Sequence, residues 1–181
     1  ALTGLAGGPV EVVDGTLVVA GETVRVTRIV DPTVRHLGRH EIRMSEPAVL
    51  MTSGLDLPAD DPLTADDATH LLGRGPGLTP LGDDVLAGWF VARHAAGHPD
   101  TTLAAAVRPG LGATTLLSAT LLDCAMRGEA LPQLAAWLAD PTPSTAEALL
   151  GVGATSGTGL LAGAELALSS IAAHHRPGRA A

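Results

Sequence analysis

Lysine and tyrosine are absent from this 181-residue chain, and its only aromatic residues are Trp89, Phe90 and Trp137. So few large rings leave the core to Leu, Ala and Val, and helices are expected to approach closely through small residues. The positive charge is eleven scattered arginines within a net charge of −8, which argues against a nucleic-acid footprint. With Cys124 as the only cysteine, neither a disulfide framework nor a cysteine-rich zinc site is available. Within a helical pattern that thiol reads as buried and inert, with a reactive thiol as the alternative. No basic start leads into an apolar h-region, and the apolar stretches are broken by Gly, Pro and charge. The expectation is a cytoplasmic protein with no membrane partner.

What is present is an apolar chain, 46% hydrophobic, that changes character along its length. The first fifty or so residues read as strands. Val10 to Val13 leads to a turn at Asp14 and Gly15, Leu17 to Ala20 to a turn at Gly21 and Glu22, and 23–30 makes the third strand of a meander ended by Pro32. A further extended piece is expected at 48–52, after an irregular charged stretch over 35–47. The acidic, proline-containing segment near 55–63 reads as a connector. Thr64 followed by Asp67 resembles a capping box opening a helix through Leu72.

Apolar spacing predicts further helices at about 80–96, 114–127, 131–139, 145–150 and 157–174. Several are apolar nearly all round, as buried helices are. The expected fold is therefore α+β: a small N-terminal antiparallel sheet followed by a compact, mostly buried α-helical bundle. Its expected divisions are a β-rich part over 1–54, the connector over 55–63, a helical domain over 64–175 and a tail over 176–181.

The most unusual segment is GRGPGLTPLGDD, Gly73 to Asp84, in which glycines and prolines alternate before Thr79, read as an N-cap, and Pro80 at the first helical position. A glycine-rich approach to a helix N-terminus lets an anion come close to unpaired amides. The bland alternative is a tight turn with an ordinary cap. It is not a Walker loop, which needs a Lys, nor the dinucleotide pattern GxGxxG. No cofactor is implied.

The pattern recurs. Gly112, Ala113, Thr114, Thr115 precede one helix and Gly153, Ala154, Thr155, Ser156 another. Three such starts aimed at one spot would present amides and hydroxyls to one small anionic substrate. Asp83 and Asp84 fall in a first helical turn, where a carboxylate is favoured simply by the dipole. Their functional alternatives are contact to a substrate nitrogen, general-base action, or a Mg²⁺ ligand; hydrogen bonding to substrate is favoured, and no metal is assigned. His94 and His98 have metal-compatible spacing but no third ligand, and Gly88 and Gly163 read as close-packing points.

The motifs GPGLTPLGDDVLAG, TTLLSATLLDCAMRG and GATSGTGLLAG, in that order, resemble those of the bacterial AllH-like family, which includes a subunit of oxamate carbamoyltransferase. The family patterns are GxGPGLTPSGDDxLxG, TTxxSxxLLxxAxxG and GHTSGxDxLxG, and the likeness spans roughly residues 71–167. By that resemblance Gly75, Gly77, Thr79, Pro80, Gly82, Asp83 and Asp84 match the first motif. Thr114, Thr115 and Ser118 match the second, and Thr155, Ser156 and Gly157 the third. Leu81 stands where Ser is usual, Ala154 where His is usual and Gly159 where Asp is usual.

The resemblance implies a carbamoyl-transfer system, with Asp83 or Asp84 orienting the nitrogen nucleophile and the helix starts holding phosphate and carbonyl oxygens. Carbamoyl transfer needs positioned reactants, a stabilised oxyanion and a neutralised phosphate. Arg74, inside the glycine loop, is the one evident cation for that purpose. The competing expectation is a non-catalytic subunit or anion-binding module that works only with partners. Either way the chain is expected to form a homo-oligomer or a hetero-complex with companion subunits.

Overall fold

The computed structural model describes residues 8–25, 30–38 and 61–174. The strand expected at 48–52, most of the 55–63 connector and the 176–181 tail lie outside the described residues. The chain divides into two compact units, Ala1–Asp31 and Pro32–Ala181.

The first unit is an antiparallel meander of β1 (Val10–Val13), β2 (Thr16–Val19) and β3 (Glu22–Val24), in that spatial order. Val13 pairs with Thr16 and Val19 with Glu22, so each hairpin turns on two residues. Asp14 and Gly15 have φ of 50° and 76°, and Ala20 and Gly21 53° and 80°. Two consecutive left-handed residues are what a two-residue hairpin needs to match strand twist. The second turn therefore sits one residue earlier than the sequence suggests, at Ala20 and Gly21.

The second unit is helical: α1 (Ala65–Leu71), α2 (Leu81–Ala95), α3 (Thr101–Val107), α4 (Leu116–Ala125), α5 (Pro132–Ala139), α6 (Pro143–Leu150) and α7 (Ser156–His174). The capping box at α1 forms as read, with the Thr64 hydroxyl and amide both on Asp67 Oδ2 at 2.6 and 2.8 Å and the Asp67 amide on Thr64. Helix α3 was not foreseen. Asp100 caps it, accepting from the Leu103 amide at 3.0 Å, while its other oxygen accepts from the Trp89 indole at 3.2 Å. A 3-10 turn over Arg108–Ala113 then delays α4 to Leu116, with Thr115 as its cap.

Helices α2 and α7 form the centre. Gly82 to Ala92 of α2 is buried without interruption, as is 159–171 of α7. Such continuous burial explains apolar character all round these helices. A Cβ on Gly88 would strike the Leu160 carbonyl, and one on Gly163 the Val85 carbonyl. Both glycines are thus the close-packing points the sequence indicated, allowing backbones to touch where aromatic volume is scarce. Contacts at Gly159 with Asp84, and at Gly163 with Val85 and Trp89, set the two helices side by side with their N-termini at the same end.

Residues 32–38 pack within this helical unit. The Ala130 amide donates to Pro32 O, the Val34 amide to Gly128 O and the Leu37 amide to Ala95 O. Val34 joins the core, and the His36 ring stacks on His94 at 5.9 Å. Among the described residues no three His, Cys, Asp or Glu groups gather as a metal set, and no helix is long and apolar enough to cross a membrane.

Candidate functional site

The three glycine- and hydroxyl-rich helix starts meet in space. The Thr79 and Ser156 hydroxyls lie 2.8 Å apart, joining the start of α2 to that of α7. The Thr115 hydroxyl donates to Leu78 O at 2.7 Å and accepts from the Ser118 amide, which ties the start of α4 to the same loop. Thr79 is not the N-cap that the sequence suggested. Pro80 takes that position with ψ of 138°, so helical geometry begins at Leu81 and the Thr79 side chain is released toward α7.

The adjacent acids have separate fates because consecutive helical residues point about 100° apart. Asp83 faces α4 and the glycine loop. Its Oδ1 accepts from the Gly73 amide at 2.7 Å, and its Oδ2 accepts from the Thr114 hydroxyl and, at 2.7 Å, from the Ser118 hydroxyl. This carboxylate is buried, fully partnered and structural in position: it clamps the loop and the start of α4 onto α2.

Asp84 faces a cavity of about 380 Å³ between α2, α4, α5 and α7. It is 5% exposed, and its Oδ2 has no hydrogen-bond partner. Burial pushes its pKa up to about 6; the nearby Ser156 and Thr79 hydroxyls oppose this by favouring the charged form, and Asp83 adds to the rise. The cavity wall continues along one face of α2 through Ala87 and Val91, along α7 through Leu160, and across α4 and α5 through Leu121 and Leu134. Apart from Asp84, Thr79 and Ser156, the polar groups on it are Cys124 and Glu129. Cys124 is half-buried, and burial together with Glu129 raises its pKa, holding it as a thiol.

Of the residues singled out from the sequence, Thr79, Asp84 and Ser156 line this cavity. Thr114 and Ser118 serve Asp83, and Thr115 caps α4. Gly82 and Gly157 are packing positions, where a Cβ would meet the carbonyls of Leu71 and Leu149. Gly75, with φ of 109°, brings the loop so close that a Cβ would lie 2.9 Å from the Leu81 amide nitrogen. Gly77, Arg74 and Thr155 are exposed, and Arg74 Nε donates to the His70 carbonyl at the end of α1.

Several helix-start amides expected to face a ligand are already committed. Gly82 N donates to Arg74 O, Asp83 N and Asp84 N to Pro80 O, and Gly157 N to Val152 O. The site is therefore built from side chains: one buried acid and a hydroxyl pair above an apolar wall. The wall itself was not legible as a site. Leu121, Leu134 and Leu160 have the spacing of ordinary core residues, and nothing local distinguishes them.

Two family departures meet at the acid. A Cβ on Gly159 would lie 2.7 Å from the Asp84 Cβ and 3.0 Å from Leu81 Cδ1. Any side chain at position 159, where the resemblance has Asp, would therefore press on both Asp84 and Leu81.

These features define an α+β protein whose helical unit encloses a small cavity beneath three joined glycine- and hydroxyl-rich helix starts. Residues 71–168 match the family described as oxamate carbamoyltransferase subunit AllH, a span holding all three starts and most of the cavity wall. The chain belongs to that family. No curated protein and no solved structure matches it.

Proposed function

We propose that this chain is the subunit of a carbamoyl-transfer system that holds the carbamoyl-bearing nitrogen compound, with the Asp84 cavity as its site. The observation that carries this reading is the buried Asp84 carboxyl group, which lines the cavity together with the Thr79 and Ser156 hydroxyl pair. One hydroxyl of that pair donates to the other, and the pair lies close enough to Asp84 to favour its charged form. A carboxylate acceptor next to hydroxyls that can turn from it to a ligand matches the N–H and C=O of a carboxamide or ureido group.

In transfer from carbamoyl phosphate, the acceptor nitrogen attacks the carbamoyl carbon, the new C–N bond forms, the carbon to phosphate-oxygen bond breaks and phosphate leaves. The Asp84 carboxylate takes the proton that the nitrogen gives up, and the hydroxyl pair holds the carbonyl oxygen. General-base action of this kind contributes about 10²–10⁴-fold, and a carboxylate poised near pH 6 suits it.

The same geometry supports the need for companion subunits. The described cavity wall carries no arginine, so the phosphate is neutralised from outside, by Arg74 on the loop or by cations of partner chains. Leu78 and Leu116, 69% and 86% exposed at the joined helix starts, give partners an apolar surface beside the cavity. The test is turnover of carbamoyl phosphate by the chain with and without co-purified companion subunits, repeated with Asp84→Asn. A loss of kcat of about a hundredfold or more is expected in the variant. Undiminished turnover by a folded Asp84→Asn complex overturns the assignment.

A further inference from the structure

The Asp84 cavity is larger and more apolar than a carbamoyl group requires. Its 380 Å³ falls at the small end of ligand pockets, about 300–1,000 Å³, yet the acid and hydroxyl pair occupy only the part where α2 and α7 begin. From Asp84 the wall runs two helical turns along α2 to Val91 and is completed by Leu121, Leu134 and Leu160. No described cation lines it, and the second carboxylate on it, Glu129, is already paired with Arg127 at 2.8 Å. A small dianion placed along this wall would lose its hydration and leave most of the wall uncovered.

Resting on the reading of Asp84 and the hydroxyl pair as a ureido site, we propose that this chain selects a ligand with an uncharged aliphatic body. In this arrangement an N-alkyl urea or alkyl carboxamide places its N–H on the Asp84 carboxylate and its carbonyl on the hydroxyl pair. Its chain then lies along Ala87, Val91, Leu121 and Leu134. Each methylene buried on such a wall strengthens binding by about fourfold, from roughly 0.8 kcal/mol per group.

The test is calorimetric titration of the full chain with urea, N-methylurea, N-propylurea, N-pentylurea, N-carbamoylglycine and 1-pentanol. Affinity is expected to rise about fourfold per methylene to the pentyl compound, with N-propylurea well ahead of N-carbamoylglycine. Leu121→Asp, at a half-buried position of the cavity wall, should weaken N-pentylurea by about tenfold or more while leaving N-methylurea unchanged. Binding of the ureas without dependence on chain length, or equal binding of N-carbamoylglycine and N-propylurea, overturns the aliphatic selection while leaving the ureido site standing. Equal binding of 1-pentanol and N-pentylurea, insensitive to Asp84→Asn, overturns the ureido site itself. Failure of every compound to bind overturns both.

Discussion

Replacing Asp84 by Asn converts the electrostatics of the cavity into a stability measurement. In the folded chain the carboxyl titrates near pH 6, against an ordinary value of 3.8, chiefly because burial disfavours its charge. The folded protein therefore holds this proton more tightly than the unfolded one between about pH 4 and pH 6. Over that window the residue's contribution to stability falls as pH rises, and it is level above the folded pKa. Two units at about 1.36 kcal/mol each set a ceiling near 3 kcal/mol. Solvent reaching the open cavity screens part of this, so about 1–2 kcal/mol is expected. An asparagine at this position has no charge to desolvate, and the Asp84→Asn variant should lack this slope. Urea denaturation of both proteins at about pH 4 and about pH 8 isolates the effect, because every other carboxyl is common to the pair. The variant should gain about 1–2 kcal/mol relative to the parent between the two pH values. A difference independent of pH, or one of opposite sign, would refute the placing of Asp84 as a desolvated acid.

Asp83 should behave in the contrary manner. Asp83→Ala strands the Gly73 amide and the Thr114 and Ser118 hydroxyls, and a loss of about 3–5 kcal/mol is expected in chemical denaturation; a loss below about 1 kcal/mol would show the clamp to be dispensable. Gly163→Ala drives a methyl into the Val85 carbonyl between the central helices, so thermal unfolding should show at least about 3 kcal/mol of destabilisation. Gly159→Asp restores the family residue but collides with Asp84 and Leu81. Adding Leu81→Ser should recover part of the loss, with a coupling energy of about 1 kcal/mol or more in a double-mutant cycle, and strict additivity would contradict the contact. Leu116→Glu, at an exposed position, should leave the melting temperature unchanged while preventing co-purification of companion subunits.

Much of the fold is written in local pattern. Asp14-Gly15 can hardly do other than turn a hairpin, Thr64 with Asp67 states its own capping box, and the glycines at 88 and 163 mark close approach within helices that have no polar face. The repeated Gly and Thr or Ser starts pointed to one meeting place, and the Thr79–Ser156 and Thr115–Leu78 hydrogen bonds join them there. Helix α3 escaped notice because TTLAAAV is only two turns long, and its cap, Asp100, follows a Gly-His-Pro stretch that reads as loop. The hydroxyl and acid roles were not separable by sequence. Asp83 and Asp84 are neighbours of identical chemistry, and only the packing of α4 on one side and a cavity on the other makes one a clamp and the other an unpartnered acid.

The amino-acid order determined the element types, the family and the three motifs that matter, since these rest on periodicity, turn chemistry and short-range spacing. Tertiary structure decided which motif residues face the cavity. Thr79 and Ser156 are 77 positions apart in the chain and meet only because α2 and α7 pack side by side with their N-termini together. The apolar wall likewise belongs to four helices, none of which encloses a cavity alone, so its existence depends on how well their side chains fill the space between them.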